Sequence, residues 1–276
     1  MDAATGAVRA TLSSFVIAID GPSGTGKSTV ARTLATRLGA GYLDTGAMYR
    51  IVAVAMLRAD VDPDDRVAVA DHLPFVQLDT PTDPQQQRHL LTTVLPGNGS
   101  SGTVDVTGEI RERAATTAVT PVSANPAVRH WLLDRQQQLA HSGRMVVEGR
   151  DIGTVIAPDA QLKIYLTADA AERARRRHAE QTSGDATDSA LPGSIQPDGL
   201  AAVQADLDRR DRVDSSRDTS PLRAAADAVH VDTSTMTIQE VVEHLLELAA
   251  ARGIRADATG RTIDTGDLTG GPEQVR

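Results

Sequence analysis

The sequence contains no cysteine, which excludes disulfides, thiolate-bound zinc, iron–sulfur clusters and a thiol nucleophile. Aromatic residues are scarce at 2%, so Ala, Val, Leu and Ile must fill the core. No apolar run approaches the roughly 20 residues of a membrane-spanning helix. The small, polar stretch from Met1 to Ser14 is followed by only five apolar residues, Phe15 to Ile19, too few for a signal-peptide core. A cytosolic protein with no membrane partner is expected. The seven His residues are scattered and show no ligand spacing, which argues against a structural metal site. Lysine is also rare: Lys27 and Lys163 are the two lysines among 28 basic residues. A compositional bias accounts for that, and it makes the setting of Lys27 more informative. The net charge of −9 disfavours a general nucleic-acid binder, which is normally basic.

A chain of 276 residues, 40% apolar and 24% charged, suffices for one sizeable α/β domain with insertions or two modest domains. Phe15 to Asp20 reads as a short buried strand. A Gly-rich turn follows, then a helix from about Lys27 to Leu38, with Val30, Leu34 and Leu38 four residues apart and Gly39 as its stop. Tyr42-Leu43 is a very short strand, and Asp44 or Thr45 caps a second helix reaching about Arg58. Between about Asp60 and Val128, prolines punctuate short strand-like pieces such as Phe75 to Leu78 and His89 to Leu95, with a helix from about Gly108. Another helix carries Val128, Trp131, Leu132 and Leu139. Strands at Arg144 to Glu148 and Leu162 to Thr167 then alternate with a basic helix, Asp169 to Gln181, and a charged helix from about Leu200 to Ser216. Thr182 to Gly199 reads as a mobile loop. Ala228 to Val231 and Ile238 to Ala251 give the last strand and helix. The alternation predicts a parallel sheet covered on both faces. The expected division is a flexible N-terminus over 1–14, a core over 15–60, an inserted subdomain over 61–128, the core continued over 129–252 with a lid at about 178–200, and a disordered tail over 253–276.

Gly21, Pro22, Ser23, Gly24, Thr25, Gly26, Lys27 and Ser28 fit G-x-x-x-x-G-K-[ST], and Thr29 follows in the first helical turn. Gly24 and Gly26 let the backbone turn its N–H groups around a polyphosphate, and the helix starting near Lys27 adds its positive end. Lys27 is placed to bridge the β- and γ-phosphates, and the Ser28 hydroxyl to ligate Mg²⁺. A chance match in a Gly-rich turn is the plainer alternative, but the motif stands between a strand and a helix as the phosphate loop requires. It establishes nucleotide phosphate binding, not the reaction. Glu148, closing the strand Met145-Val-Val, has the position of the acid that holds Mg²⁺ directly or through water.

A kinase of small acceptors also needs arginines to grip the acceptor phosphate. Three clusters qualify. Thr45 and Tyr49 share a face at a helix start beside Arg50, where a capped surface helix is the alternative. Arg150 and Asp151 follow a strand end, where a local ion pair is the alternative. Arg210, Asp214 and Arg217 fall at i, i+4 and i+7 on one helical face, where a solvated ion-pair stripe is the commoner case. The basic helix adds Arg173, Arg175, Arg176 and Arg177. Some of these are candidates to swing onto the transferred phosphate, with Glu172 and Arg176 as a possible structural pair; spacing does not choose among them.

The chain resembles the bacterial cytidylate kinases over about residues 14–252. The matching stretches are Ile19-Asp-Gly-Pro-Ser-Gly-Thr-Gly-Lys-Ser, Leu43-Asp-Thr-Gly-Ala-Met-Tyr-Arg, Val106-Thr-Gly-Glu-Ile-Arg111, Glu148-Gly-Arg-Asp-Ile-Gly-Thr154, Ala157-Pro-Asp-Ala160 and Arg209-Arg-Asp-Arg-Val-Asp-Ser-Ser-Arg217. The phosphate loop is shared with many NTPases; the other stretches, in this order, are close to specific. The resemblance implies an α/β P-loop nucleoside monophosphate kinase fold: a central parallel sheet flanked by helices, with an inserted substrate-binding subdomain and a lid. It implies that Thr45, Tyr49, Arg50, Thr120, Arg129, Arg150, Asp151, Arg210, Asp214 and Arg217 form a CMP site. Thr120, Arg129 and Asp151 would face the cytosine edge, Arg50, Arg150 and Arg217 the phosphate, and Arg210 and Asp214 the sugar, with dCMP also accepted. Lys27, Arg150 and Arg176 would be catalytic, with ATP and Mg²⁺ required. The segment from Thr182 to Gly199 is longer and richer in Gly and Pro than the family usually shows, and the tail after Arg252 has no counterpart. A monomer with no nucleic-acid partner is expected.

The acceptor phosphate is already an anion, so in-line attack on the γ-phosphorus needs positioning and charge neutralisation rather than a general base. A kinase of UMP, AMP or shikimate is the nearest alternative. A GTPase would want N-K-x-D, and neither lysine sits in one; its Asp105-x-x-Gly108 match is weak. A non-catalytic nucleotide sensor is separated by turnover alone.

Overall fold

The computed structural model describes residues 13–94, 101–182, 199–217 and 219–256. In chain order the first half holds β1 (Phe15–Asp20), α1 (Lys27–Leu38), β2 (Gly41–Asp44), α2 (Thr45–Arg58), α3 (Arg66–His72), β3 (Val76–Asp79), β4 (Leu90–Val94), β5 (Ser101–Asp105) and α4 (Arg113–Ala124). The second half holds α5 (Pro126–Ala140), β6 (Arg144–Glu148), a single π-helical turn (Ile152–Ile156), β7 (Leu162–Thr167), α6 (Ala170–Thr182), α7 (Leu200–Ser215), β8 (Val229–Asp232) and α8 (Ile238–Ala251). Five strands form one parallel sheet in the order β2-β6-β1-β7-β8.

Both faces of this sheet are dry. Along β1, Val16 and Ala18 join an apolar cluster with α2, whereas Phe15, Ile17 and Ile19 join another with α1 and α8. A strand buried on both faces reads as a continuous apolar run, which is how Phe15 to Asp20 is spelled. The helices are capped as their sequences dictate. Asp44 accepts a hydrogen bond from Ala47 N and starts α2, and Asn125 does the same for α5 through Ala127 N. Thr237 and Glu240 form a reciprocal capping box on α8. Among the described helices, none is long and apolar enough to cross a membrane.

The region between α2 and α5 departs most from the sequence reading. β3, β4 and β5 make a separate antiparallel sheet. The third strand was not expected: Ser101 to Asp105 carries Gly102 and a single bulky apolar residue, Val104, too little for a visible alternation. α3 was missed because Val69 is its one buried residue. The helix expected from Gly108 opens as a 3-10 turn over Glu109–Arg111, and α4 begins at Arg113. Leu91, Val106 and Ile110 belong to the apolar cluster of α2, so the two sheets share one core. The expected flexible terminus, most of the expected lid and most of the expected tail lie outside the described residues.

The first glycine of the phosphate loop is fixed by its neighbours. Gly21 has φ 146°, and a Cβ there would stand 2.2 Å from the Leu166 carbonyl oxygen on β7. Gly21→Ala is expected to cost about 1–3 kcal/mol from backbone strain alone, with the steric clash adding to it. A urea midpoint equal to that of the unaltered protein would contradict this tight β1–β7 exit.

Candidate active site

Parallel strands deliver their carboxyl ends to one edge, where ligands of open α/β sheets sit. Asp20, Asp44 and Glu148 end β1, β2 and β6 there, and Asp44 is the register partner of Glu148. The loop from Gly21 to Gly26 leaves this edge and enters α1. Gly24 and Gly26 take left-handed φ values of 79° and 83°, and no side chain caps α1, so its first N–H groups remain open to an anion. Lys27 Nζ donates to the Pro22 carbonyl at 2.7 Å. Ser23, Gly24, Gly26, Lys27, Ser28 and Thr29 line a cavity of about 250 Å³, while Gly21, Pro22 and Thr25 stand behind it.

The opposite wall of this same cavity is built from five other parts of the chain. α2 supplies Thr45, Tyr49 and Arg50, α4 supplies Thr120 and Ser123, and α5 supplies Arg129. The turn after β6 supplies Arg150 and Asp151, and α7 with the residues after it supplies Arg210, Asp214 and Arg217. All ten residues grouped as an acceptor site from the sequence therefore line the same cavity as Lys27.

Specific contacts fix this wall. Asp151 and Arg129 form a buried ion pair, and Arg129 lies over the Tyr49 ring at 5.4 Å. Arg129 Nη1 also donates to the Ser123 carbonyl at 3.3 Å. Arg150 Nε donates to Asp214 at 3.0 Å, and its Nη2 to Ser23 Oγ at 2.7 Å. Arg217 pairs with Asp214 and donates to Ser123 Oγ at 3.0 Å. Arg50 donates to the Ile110 carbonyl at 3.0 Å and to Thr116 Oγ1 at 2.8 Å. The stripe on α7 is not an Arg210–Asp214 pair: Arg210 reaches back to Asp206 at 2.7 Å, leaving Asp214 to Arg150 and Arg217.

The charges strain against one another. Burial, then the nearby Arg177 and Arg210, lowers the Arg50 pKa to about 10. Burial also lowers Arg210 and Arg217. Burial opposes the charge on Arg150, but Asp214 first, then Asp211 and Glu148, together outweigh it, so its pKa lies above the ordinary value. Lys27 is pulled down by burial and by Arg150, and Glu148 is pushed up by burial and by Asp44. Cationic side chains outnumber carboxylates in this lining, so an anion bound beside Lys27 would relieve the excess.

Glu148 fits the role of a metal-holding acid. Its Oε1 accepts from Ser28 Oγ at 2.7 Å and from Tyr42 Oη at 2.9 Å, whereas Oε2 is buried with no hydrogen-bond partner in the protein. A hydroxyl and one carboxylate suit Mg²⁺, which takes few protein ligands and completes its shell with phosphates and water. Among the described residues no cluster of three acidic or His side chains exists to hold a metal without substrate.

On α6 the arginines part ways. Arg176 pairs with Glu172, and its Nη atoms donate to the Thr233 hydroxyl and carbonyl at 3.0 and 2.6 Å; it does not line the cavity. Arg177 does. Arg173 turns to the phosphate loop, donating to the Ser23 carbonyl at 3.1 Å. Sequence reasoning missed three contributors. Ser123 sits one turn beyond Thr120 on α4. Asp44 passed for a simple cap. Asp20 was read as a strand end, yet its two oxygens accept from Ile152 N and Gly153 N, each at 2.8 Å. It thereby ties the phosphate-loop strand to the turn that carries Arg150 and Asp151. Its signal was an acid closing an otherwise apolar strand.

Burial pushes the Asp20 carboxyl up to about 6. A folded-state pKa above the unfolded one means that the native state holds the extra proton, so this group's contribution is full below about pH 4 and is lost as pH rises through 6. Asp20→Asn removes the titration and one of the two acceptors. The unfolding free energy of the unaltered protein minus that of the variant is expected to fall by about 2 kcal/mol between pH 4 and pH 7. A difference independent of pH would show that Asp20 is not buried as described.

Comparison with known proteins accords with this geometry. The family model described as cytidylate kinase matches residues 17–251. A protein of Rhodococcus opacus named cytidylate kinase is 49% identical over 241 residues, covering 87% of this chain and 96% of that protein. One from Mycolicibacterium paratuberculosis with the same name is 47% identical over 241 residues, with 87% and 97% covered. In Prochlorococcus marinus, a protein named bifunctional pantoate ligase/cytidylate kinase is 45% identical over 84% of this chain and 43% of its own length. With a phosphate loop and an arginine-lined wall facing each other across one cavity, and with a family match spanning nearly all the described residues, the chain belongs to the cytidylate kinase family.

Proposed function

We propose that this enzyme transfers the γ-phosphate of ATP to CMP and dCMP, giving ADP and CDP or dCDP. One observation carries the reading: the Lys27 loop and the Arg50, Arg150 and Arg217 guanidinium groups line the same cavity. ATP phosphates lie along the loop, held by its N–H groups and Lys27. The acceptor phosphate is gripped by Arg50, Arg150 and Arg217, so its oxygen points at the γ-phosphorus. That oxygen forms the new P–O bond as the bond to the β-phosphate oxygen breaks, and no proton needs to move. Arg150, which touches both Ser23 and Asp214, stands where charge passes between the nucleotides. For the further cationic group on the transferred phosphate we favour Arg177, which lines the cavity, over Arg176, which does not. Ser28 and Glu148 would hold Mg²⁺, which would neutralise charge on the donor phosphates.

Base choice rests on Asp151. Its carboxylate accepts from the exocyclic amine of cytosine, and Arg129 donates to the ring carbonyl and nitrogen; uracil offers a carbonyl where the amine was. Asp214 is already satisfied by two arginines, so the sugar hydroxyl missing from dCMP leaves no charge unpaired there. The inserted subdomain over 61–128, the lid at about 178–200, a monomeric state and a cytoplasmic location complete the reading. The location is supported by the supply of ATP and CMP. The net charge of −9 supports the absence of a nucleic-acid partner.

The test is a panel of CMP, dCMP, UMP and AMP with ATP and Mg²⁺, following ADP release. CMP and dCMP are expected to turn over far faster than UMP and AMP; ADP release indifferent to acceptor would leave only an ATPase or a nucleotide sensor. Asp151→Asn keeps the buried shape and is expected to lower kcat/KM for CMP by about a hundredfold or more. The KM for ATP should change less than about threefold. Loss of ATP affinity instead would move the acceptor site elsewhere.

A further inference from the structure

Ser23 is the one residue of the phosphate loop whose three polar groups are all taken by side chains from outside it. Its N–H donates to Asp211 Oδ1 at 3.2 Å, its carbonyl accepts from Arg173 Nη1 at 3.1 Å, and its hydroxyl accepts from Arg150 Nη2 at 2.7 Å. Arg173 and Asp211 are themselves an ion pair, nearly buried, with side-chain exposures of 10% and 17%. They stand on α6 and α7, which pack together through Ala174, Val203 and Leu207. The fit of α6 on the loop is close: a Cβ on Gly24 would lie 2.9 Å from the Arg173 carbonyl and 3.0 Å from its Cβ.

Asp211 and Asp214 lie three residues apart and so share a face of α7. Asp211 holds the donor loop, and Asp214 holds Arg150 and Arg217 on the acceptor wall. α7 is thus bonded to both substrate subsites, and Arg150 closes the circuit by touching Asp214 and Ser23 together. A helix fixed at both subsites cannot respond to one ligand without altering the other.

We propose that Asp211, with Arg173 as its partner, is a positioning residue that couples the two substrates: acceptor binding against α7 sets the phosphate loop through Ser23, so each nucleotide tightens the other. Asp211 lines no part of the cavity and acts through Ser23, not on substrate. The proposal rests on the acceptor site being where the proposed function puts it.

The test measures affinity of the full chain for the β,γ-imido analogue of ATP with and without saturating CMP. In the unaltered protein CMP is expected to tighten the analogue about fivefold or more, and the analogue to tighten CMP by the same factor, as linkage demands. Asp211→Asn, which keeps the shape but not the charge, should bring both factors close to one and leave the affinity for CMP alone within about twofold. Ser23→Ala, which removes only the hydroxyl bond to Arg150, should lower the factors part of the way, and it decides the matter alone if Asp211→Asn does not fold. Undiminished coupling in a folded Asp211→Asn, in Ser23→Ala where that variant decides, or no coupling in the unaltered protein, overturns the proposal. So does a large loss of affinity for CMP alone in Asp211→Asn, which would make it a direct binding residue. Turnover of CMP by the unaltered protein keeps the kinase reading intact in each of these cases; lack of CMP turnover sinks that reading instead.

Discussion

Like charges forced together in one part-buried cavity are the constraint from which the rest of this structure follows. Seven cationic side chains and four anionic ones line the cavity, in a chain whose net charge is −9. Burial lowers the pKa of Arg50, Arg210 and Arg217, and neighbouring guanidinium groups lower each of them further. Folding tolerates this because Asp214 takes Arg150 and Arg217, Asp151 takes Arg129, and Arg50 donates to the Ile110 carbonyl and the Thr116 hydroxyl. Two phosphorylated ligands meeting end to end complete the neutralisation.

The scaffold's task is to bring distant residues to that cavity and hold them. β1 lies at the centre of the sheet, and what leaves its carboxyl end is the phosphate loop. β6 beside it ends in Glu148 and runs directly into Arg150 and Asp151. Asp20 spans the two by bonding Ile152 N and Gly153 N, so the donor loop and the acceptor turn share one anchor. Thr45 adds a second tie, donating from Oγ1 to the Glu148 carbonyl at 2.7 Å. These contacts are short and buried, and they explain why residues on helices far apart in sequence act as one surface.

Much of this was legible from the residues. The phosphate loop announced itself because its backbone geometry demands glycine at set positions, and α1, β6, β7 and α8 were bounded by clear caps and apolar runs. Arg50, Arg150 and Arg217 stood out as members of three clusters, at a helix start, at a strand end and along a helical spacing, and family likeness then gave them the phosphate role. What escaped shares a physical cause. α3 and β5 bury too few side chains to print a period on the sequence. Asp20 looks like any strand-terminal acid until the turn over Ile152–Ile156 folds against it. The choice between Arg176 and Arg177 depends on the rotation of α6 about its own axis, which is held by tertiary contacts such as Arg173 on the Ser23 carbonyl and Ala174 against Val203 and Leu207.

The central claim is that donor and acceptor anions meet within a single cavity. It is tested most directly with a bisubstrate ligand in which adenosine and cytidine are joined through their 5′-oxygens by five phosphates. Its dissociation constant is to be compared with those of ATP and CMP under the same conditions. Because one molecule then fills both subsites, it is expected to bind roughly a hundredfold or more tighter than either nucleotide. Affinity no better than that of ATP, with CMP still able to bind alongside it, would place the two sites apart and contradict the account.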